Sequence, residues 1–334
     1  MRPSVGFSWA HSPAKANEIP STTGSGTGTR YPRLTRRNFL TLAAGISAAL
    51  ALSTCSGEDT GIRLGAAQYG GQFHEFAAAL AAAAAEHSSV RIEPIVSEGS
   101  VTNLSLLADG RIDAALALGD AVPADTGALA VGRVHECYIQ VAVHPDSSIR
   151  QLGDLRGGRI DLGLTGSGSA ETGQRLLRAA GLVPHIDLMI EHRDLSAGVR
   201  ALLDGRIDAL LWGDEVPTPV FEFPVRLRLL DLGEWVPAMY SRYGYPYDTV
   251  AVPVGTYPGA AAVDTIGVPT LLLVSPDLPG RVVTSLADLL LNHGDLLVPA
   301  RTVGVQFLDR QWLVGTGKVP LHPAAADRYR AAHG

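Results

Sequence analysis

One six-residue segment occurs twice in this chain, and it constrains the fold more than any other feature. Asp109–Ala114 and Asp204–Ala209 both read Asp-Gly-Arg-Ile-Asp-Ala, and a Gly-Asp pair follows each copy, at Gly119-Asp120 and Gly213-Asp214. A glycine that adopts positive φ can end a helix just before a short buried strand. Asp-Gly-Arg is also a common turn, but the matching flanks favour two similarly built lobes. The copies start 95 positions apart, which is too far for a solenoid repeat and suits lobes of roughly 120–150 residues.

The segments around the first copy alternate between apolar runs and helical patterns. Three apolar runs have strand length, namely Ile62–Ala67, Val90–Val96 and Ile112–Leu118. Between them, an alanine-rich segment to about His87 and then Ser100–Ala108 favour helices. Alternation of strands and helices is typical of parallel sheets that are covered by helices. The sequence therefore predicts an α/β fold.

A Gly/Ser-rich turn precedes a predicted helix in the second half of the chain. The predicted strand Ile160–Leu164 leads into Thr-Gly-Ser-Gly-Ser-Ala-Glu at 165–171, and a helix continues to about Ala180. Backbone N–H groups and hydroxyls at a helix start can bind an anion, because the positive end of the helix dipole lies behind them. The same residues can form an ordinary serine N-cap with Glu171 in the first turn. Spacing alone does not separate these two interpretations.

The first 54 residues have the pattern of an export signal. A polar segment contains the low-complexity run Ser21–Thr29, and Arg36 and Arg37 precede a mostly alanine apolar stretch. The two arginines, followed by Phe-Leu, resemble the twin-arginine motif. Leu-Ser-Thr-Cys at 52–55 resembles a lipobox, which would make Cys55 the lipidated first residue of an exported, membrane-anchored protein. An uncleaved N-terminal anchor is the alternative. The other cysteine, Cys137, is predicted to be a small buried hydrophobic residue.

Charge and motif content argue against several functional classes. The formal net charge is −6, although residues 1–54 hold six cations and one anion, so the rest of the chain is strongly acidic. Such a body has no electrostatic reason to bind nucleic acid. The sequence has no Gly-x-Ser-x-Gly elbow, Glu171 replaces the third glycine of a dinucleotide site, and Gly315–Lys318 is an incomplete P-loop. The ten histidines show no metal-ligand spacing. We therefore expect no enzyme activity, cofactor or metal.

Six further segments occur together in an order that points to one family. They are Gly70-Gly71, Glu98–Leu104, Asp113–Asp120, Leu155–Gly157 with Gly166–Ser169, Val252–Thr265, and Leu321–Ala325. Over residues 61 to 334, these segments resemble the TAXI family, the solute-binding proteins of one class of TRAP transporters. The resemblance implies a two-lobed type II periplasmic-binding-protein fold, in which each lobe is a mostly parallel sheet flanked by helices and two crossover segments join the lobes.

The implied fold divides the chain into four parts. Residues 1–54 would be the export signal, and residues 55–60 would be a short linker. Lobe one would comprise residues 61–143 and 270–334, and lobe two would comprise residues 144–269. The crossovers would fall near Val141–His144 and Thr265–Val274, so that each lobe contains one copy of the repeat.

The resemblance also implies a function. The protein would be a monomeric extracytoplasmic receptor that binds a small organic anion, of the carboxylate, amino-acid or oxo-acid class, and delivers it to a TRAP-type permease. A ligand-sensing lipoprotein that reports to a membrane receptor and an enzyme on the same fold are the alternatives. Phe73 and His74 replace tyrosines of the family, and Leu118-Gly119 replaces a Gln-Ser pair. These departures remove polar groups and predict a ligand that is less polar than glutamate.

Eleven residues are candidates for ligand contact on the basis of this resemblance. Ser100 and the serines at 167 and 169 lie at predicted helix starts, where N–H groups suit a carboxylate. Asp120, if buried, would favour a ligand amine or a neighbouring arginine, and Trp212 would cover an apolar part of the ligand or pack in the core. Lobe one would contribute Tyr69, Gly71, Phe73, Ser100, Asn103 and Asp120, and lobe two would contribute Ser167, Gly168, Ser169, Trp212 and Tyr257.

Overall fold

The computed structural model describes residues 60–218, 226–298, 308 and 311–333. The contacts between residues divide the chain into two units, Met1–Ser56 and Gly57–Gly334, and all described residues belong to the second unit. The predicted export residues Arg36 and Arg37 and the predicted lipidation site Cys55 lie outside the described residues. No described helix is long and apolar enough to cross a membrane.

The described residues contain ten strands and seven α-helices, which largely alternate along the chain. The strands are β1 Thr60–Gly65, β2 Val90–Ile95, β3 Ala114–Leu118, β4 Leu129–Val143, β5 Arg159–Asp161, β6 Met189–Glu191, β7 Ala209–Asp214, β8 Arg228–Leu229, β9 Asp248–Val252 and β10 Val263–Val274. The helices are α1 Gln72–His87, α2 Ser100–Ala108, α3 Gly168–Ala179, α4 Leu195–Leu203, α5 Val236–Tyr243, α6 Gly280–Asn292 and α7 Pro323–His333.

The strands form one mixed sheet in the order β2-β1-β3-β10-β4-β7-β5-β6, with β8 beside β4 and β9 beside β10. In the first group of strands, β1 is parallel to β2 and β3, and β10 is antiparallel to β3. In the second group, β5 is parallel to β6 and β7, and β4 is antiparallel to β7. The two groups therefore have the same strand order, β2-β1-β3-β10 and β6-β5-β7-β4.

Two long antiparallel strands connect the groups. β4 and β10 pair with each other along most of their length. Leu129 of β4 lies opposite Val274 of β10 at one end, and Ile139 lies opposite Ile266 at the other. β3 pairs with the last residues of β10, from Thr270 to Val274, whereas β7 pairs with the last residues of β4, from Tyr138 to Val143. The chain thus crosses between the groups inside paired strands. The predicted α/β class, with the two crossover segments of the type II periplasmic-binding-protein arrangement, is confirmed. The strands form one mixed sheet, and its parallel pairs are those of β1 with β2 and β3 and of β5 with β6 and β7.

The repeated segment occupies the same place in both groups. Asp109 and Asp204 end α2 and α4, and the glycine after each has a φ of 66°. Only glycine adopts this backbone conformation without strain. The N–H of Arg111 donates to the carbonyl of Leu106 at 2.9 Å, and the N–H of Arg206 donates to the carbonyl of Ala201 at the same distance. The two copies therefore form the same helix-ending turn.

The second aspartate of each copy attaches the turn to the first strand of its group. The Asp113 carboxylate accepts a hydrogen bond from the N–H of Arg63 on β1 at 2.8 Å. The Asp208 carboxylate accepts the equivalent bond from the N–H of Arg159 on β5 at 2.7 Å. Because these bonds satisfy strand N–H groups that have no other partner there, they explain why both copies carry Ile-Asp before the buried strand.

The apolar core runs through both groups. All five residues of β3 are buried, and one cluster of buried side chains contains Leu64 and Leu116 of the first group together with Ile160 and Leu211 of the second. Cys137 on β4 belongs to the same cluster and is a free, buried cysteine, which confirms its predicted role as a small hydrophobic residue.

Candidate functional site

A cavity of about 460 Å³ lies where strands of both groups end. Its walls come from Ala67–Gly71 after β1, Glu98 after β2, residues 163–169 after β5, residues 193–196 after β6, and the end of β7. The carboxyl ends of parallel strands are the usual place for a ligand in α/β sheets. A smaller space of about 90 Å³ shares seven of these lining residues and extends to Phe73 and Ser100. We call the two spaces together the cleft.

The cleft brings together eight of the eleven predicted contact residues. Three others, Asn103, Asp120 and Tyr257, do not line it. Tyr69 lies at the rim with 77% of its surface exposed, whereas Trp212 is 4% exposed. The eight residues that line the cleft are Tyr69, Gly71, Phe73, Ser100, Ser167, Gly168, Ser169 and Trp212.

The start of α2 is occupied by backbone from the second group. The carbonyl oxygen of Gly166 accepts hydrogen bonds from the N–H groups of Val101 at 3.0 Å and Thr102 at 3.2 Å. The Ser100 hydroxyl accepts a bond from the N–H of Leu118 at 3.0 Å. Ser100 therefore lines the cleft, but the Val101 and Thr102 N–H groups of its helix are already used. The structure thus differs from the expectation that this helix start offers its N–H groups to a carboxylate.

Glycines allow this close approach of α2 and α3. A Cβ atom on Gly168 would lie 2.9 Å from Leu118 Cγ and would collide with the Ser100 hydroxyl. A Cβ atom on Gly166 would collide with the Thr102 hydroxyl and the Glu98 carboxylate. The Gly-Ser-Gly-Ser segment is therefore required for contact between the two groups as well as for the turn itself.

The start of α3 combines the two interpretations that the sequence left open. Ser167 is the N-cap residue, and its hydroxyl accepts a hydrogen bond from the N–H of Ala170 at 3.1 Å. Glu171 lies in the first turn. The N–H groups of Gly168 and Ser169 have no hydrogen-bond partner among the described residues. An N-cap is thus present, and donors remain at the cleft wall beside it.

Asp214, at the end of β7, is a buried carboxyl group on the cleft wall. The residue is 6% exposed, and its Oδ1 accepts hydrogen bonds from the N–H groups of Gln72 at 3.1 Å and Glu215 at 2.9 Å. Its Oδ2 has no hydrogen-bond partner among the described residues. Burial raises the pKa of Asp214 to about 7, and the two N–H donors oppose this shift.

The other charged groups of the cleft wall are already engaged. Glu98 accepts a bond from the N–H of Gly166 at 3.0 Å, and Asp194 caps α4 through the N–H of Ala197 at 2.8 Å. Arg193, the one cation among the lining residues, donates to Asp161 at 2.7 Å and also to Glu191. Its charge is thus neutralised within its own group of strands, and the wall as a whole is acidic.

Trp212 packs in the apolar core of the second group, as one of its two predicted roles required, and it also lines the cleft. Its indole N–H donates to the Thr218 hydroxyl at 3.0 Å, and its ring lies edge-on to Tyr257 with centroids 6.4 Å apart. A buried aromatic wall of this kind can contact the apolar part of a ligand.

Two of the predicted residues outside the cleft hold strands and loops together. The Asn103 side-chain amide donates to the carbonyls of Ala66 at 2.5 Å and Leu116 at 2.9 Å, which joins α2 to both β1 and β3. The Tyr257 hydroxyl donates to the side-chain oxygen of Gln140 on β4 at 2.9 Å. These polar atoms are used inside the protein and do not face the cleft.

Asp120 lies in a different cavity, and its buried carboxylate has an arginine beside it. Its Oδ2 accepts hydrogen bonds from the Thr172 hydroxyl at 2.8 Å, the Tyr247 hydroxyl at 3.1 Å and Arg175 at 3.3 Å. Burial raises the pKa of Asp120, while the Arg175 guanidinium lowers it. Of the two partners expected for this carboxylate, the structure supplies the arginine.

A family comparison decides where this chain belongs. The NMT1-like family matches residues 64–332, which is most of the chain. The chain belongs to the NMT1-like family. Among the described residues of this family member, no group of three or more His, Cys, Asp or Glu side chains could hold a metal ion.

Several solved structures are similar to this NMT1-like protein at low identity. The substrate-binding protein of an amino acid ABC transporter has 16% identity and a TM-score of 0.46, over 71% of this chain and 97% of that one. The alkanesulfonate-binding protein from Xanthomonas axonopodis pv. citri, bound to MOPS, has 15% identity and a TM-score of 0.39, over 81% and 83%. A putative L-cystine ABC transporter protein from Listeria monocytogenes has 14% identity and a TM-score of 0.44, over 71% and 92%.

Asp214 is a charged cleft residue that sequence reasoning missed. Asp214 belongs to the Gly-Asp pair that follows the second copy of the repeat, as Asp120 belongs to the pair that follows the first, and both residues are 6% exposed. The repeat itself was the available signal, because each copy leads into a buried strand, and ligands of α/β sheets usually bind where such strands end. Glu98, two residues before the predicted helix start at Ser100, is another charged cleft residue that sequence reasoning missed.

We expect Asp214→Asn to remove a pH dependence of stability. The folded state of the wild-type protein holds a proton on Asp214 up to about pH 7, whereas the unfolded chain releases it near the ordinary value of 3.8. The carboxyl group therefore favours the folded state most at low pH, and this contribution is lost as the pH rises to about 7. Chemical denaturation of both proteins gives their free energies of unfolding. The wild-type value minus the Asp214→Asn value should decrease as the pH rises through this window. A constant difference would contradict the buried, protonated carboxyl.

Proposed function

We propose that this NMT1-like protein is an extracytoplasmic solute receptor that binds a small organic anion of the amino-acid class in the cleft and delivers it to a TRAP-type membrane permease. The observation that carries the proposal is that backbone donors at the start of α3 and the Oδ2 atom of Asp214, all without a partner among the described residues, line the same cleft, whose larger space is about 460 Å³. This volume lies within the range of small-molecule sites.

The start of α3 is the proposed carboxylate subsite. The N–H groups of Gly168 and Ser169 lie in the first turn of a 12-residue helix, where the helix dipole favours negative charge. The Ser169 hydroxyl lies 3.3 Å from the Ser167 hydroxyl, and both serines line the cleft. A ligand carboxylate at this point would accept bonds from two backbone N–H groups and from the Ser169 hydroxyl.

Asp214 is the proposed amine subsite. Its Oδ2 has no donor among the described residues and lies on an acidic wall, and the cation Arg193 of that wall is bound by two carboxylates of its own. A ligand ammonium would supply the missing donor and would favour the ionised form of Asp214. An oxo-acid offers only a carbonyl acceptor at that place, which the protonated form of Asp214 can bind, whereas an ammonium also pairs with the charge of the ionised form. The amino acid is therefore the preferred member of the expected ligand classes, and Trp212 would contact its side chain.

The proposed lobes are residues 61–143 with 270–334 and residues 144–269, and they would close on the ligand by bending across β4 and β10. Transport further requires export and an anchor. Arg36 and Arg37 as a twin-arginine signal and Cys55 as a lipidated residue would place the receptor on the outer face of the cytoplasmic membrane. In this arrangement the ligand passes unchanged to the permease, and the receptor performs no chemistry.

A thermal-shift screen of amino acids and the matching 2-oxo-acids tests the proposal. A ligand at about 100 times its Kd should stabilise the protein by roughly 2.7 kcal/mol. At least one amino acid should raise the melting temperature more than its oxo-acid, and Asp214→Asn should remove that preference. No shift with any acid would contradict the receptor, and consumption of the ligand over hours would indicate an enzyme. A sensor would bind equally well, but purified permease would not accept its ligand.

A further inference from the structure

A second cavity of about 440 Å³ lies apart from the cleft and shares no lining residue with it. It is enclosed by the segment that follows β3, by α3, by the end of α5, and by the segment before α7. The first of these segments contains Asp120, and the last contains Lys318. The cleft ligand therefore cannot explain this space.

The charges of the second cavity are opposite to those of the cleft. Its walls contain one carboxylate, Asp120, and two cations, Arg175 and Lys318. The carboxylate already has three donors on Oδ2, and Arg175 also donates to the Asp120 carbonyl at 2.6 Å. Lys318 has no ion-pair or hydrogen-bond partner among the described residues. The cavity therefore retains a positive charge.

An unused hydroxyl lies on the same wall. The Tyr245 hydroxyl has no hydrogen-bond partner among the described residues, and Tyr245 lines the cavity. Gly119 makes room for this hydroxyl, because a Cβ atom there would collide with it. Val122 and Val319 also line the cavity and supply apolar surface. An ammonium and a phenol beside apolar surface match an organic anion of low charge.

We propose that this second cavity is a separate binding site for a small organic carboxylate with an apolar body, which pairs with Lys318 and accepts a hydrogen bond from Tyr245. The site lies beyond the proposed transport function and does not depend on it. Arg175 lines the second cavity and lies on α3, whose first turn lines the cleft, so the two sites are on opposite parts of one helix's sequence and can be changed separately. Lys318 also offers a direct readout, since the only other lysine of the chain is Lys15.

Protection of Lys318 from an amine-acylating reagent tests the site. The probe is benzoate at about 10 mM, ten times a Kd of about 1 mM, and benzylamine is the matched probe with the same ring and opposite charge. Mass spectrometry follows acylation at Lys318 against a lysine-containing reference peptide in the same tube. Benzoate should slow acylation about tenfold, as expected for a site that is ten parts in eleven occupied, and benzylamine should have no effect. Equal rates with and without benzoate would overturn the proposal, as would equal protection by both probes.

Variants separate this site from the cleft. Lys318 is exposed, so Lys318→Gln should fold, and it should weaken benzoate binding about tenfold or more in calorimetry, as loss of a charge-assisted hydrogen bond implies. Lys318→Arg should restore most of the affinity, and Arg111→Gln, at an exposed cation outside both cavities, should leave it unchanged. Ser169→Asp should abolish cleft binding but retain benzoate binding. If Ser169→Asp removes the protection of Lys318, benzoate acts from the cleft and the second site is refuted.

Discussion

Ser169→Asp should keep its fold and lose about a thousandfold in affinity for the cleft ligand. Aspartate in the first turn of α3 suits the helix dipole, and Ser167 remains as the N-cap. A ligand carboxylate would meet a second negative charge, and two such charges about 4 Å apart repel by roughly 4 kcal/mol at an effective dielectric of 20. Loss of the hydroxyl donor adds about 1 kcal/mol. Because about 1.4 kcal/mol corresponds to a tenfold change in affinity, the two contributions together are large enough for a thousandfold loss.

Calorimetric titration with the best amino acid from the screen measures this effect. Ser169→Ala should lose only the hydroxyl donor and bind several-fold more weakly. Ser148→Asp, which places the same charge on an exposed loop residue outside the cleft, should bind as the wild type does. If Ser169→Asp binds the ligand with wild-type affinity, the carboxylate subsite does not lie at the start of α3.

Asp120→Ala should destabilise the protein by about 3 kcal/mol, because breaking a buried ion pair leaves its partner uncompensated. Three donors point at the Asp120 carboxylate, from Thr172, Tyr247 and Arg175. The Arg175 side chain is 25% exposed, so water compensates part of the loss, and the lower end of the range for buried pairs applies. Urea denaturation at constant pH measures the free energy of unfolding.

Asp120→Asn is the matched control for this change. Its amide oxygen can still accept bonds from Thr172 and Tyr247, and only the charge opposite Arg175 is lost. Its destabilisation should therefore be smaller than that of Asp120→Ala. If Asp120→Ala unfolds within about 0.5 kcal/mol of the wild type, as most surface substitutions do, the Asp120 network contributes nothing to the folded state.

Local chemistry made much of the fold predictable. The predicted helix Ser100–Ala108 has the bounds observed for α2, because a glycine precedes it and Asp-Gly ends it. The predicted strand Ile160–Leu164 is observed only as Arg159–Asp161. Gly163 has a φ of 79°, and its N–H donates to the Asp161 carboxylate at 2.9 Å. The chain therefore turns toward the cleft where apolar residues alone favoured a longer strand.

The contacts between the two groups could not be predicted in the same way. The bond from Val101 N–H to the Gly166 carbonyl joins two helix starts that are far apart in sequence. Each start, considered alone, offers free donors for an anion. Asp120 and Asp214 show the same limit, because the aspartates of the two Gly-Asp pairs acquire different partners, Arg175 for one and the N–H of Gln72 for the other. The identity of those partners depends on how the groups face each other, which no local pattern contains.

The crossing of the chain inside β4 and β10 has a consequence for synthesis on the ribosome. β3 takes its neighbour from β10, so the edge of β3 stays open from the time residue 118 emerges until Val263–Val274 follows. At elongation rates of about 5–20 residues per second, this delay is on the order of ten seconds. During that time a fully apolar strand edge is exposed, which is a template for aggregation. The nascent chain is therefore most exposed to edge-to-edge association before β10 has been made, although the finished sheet buries every residue of β3.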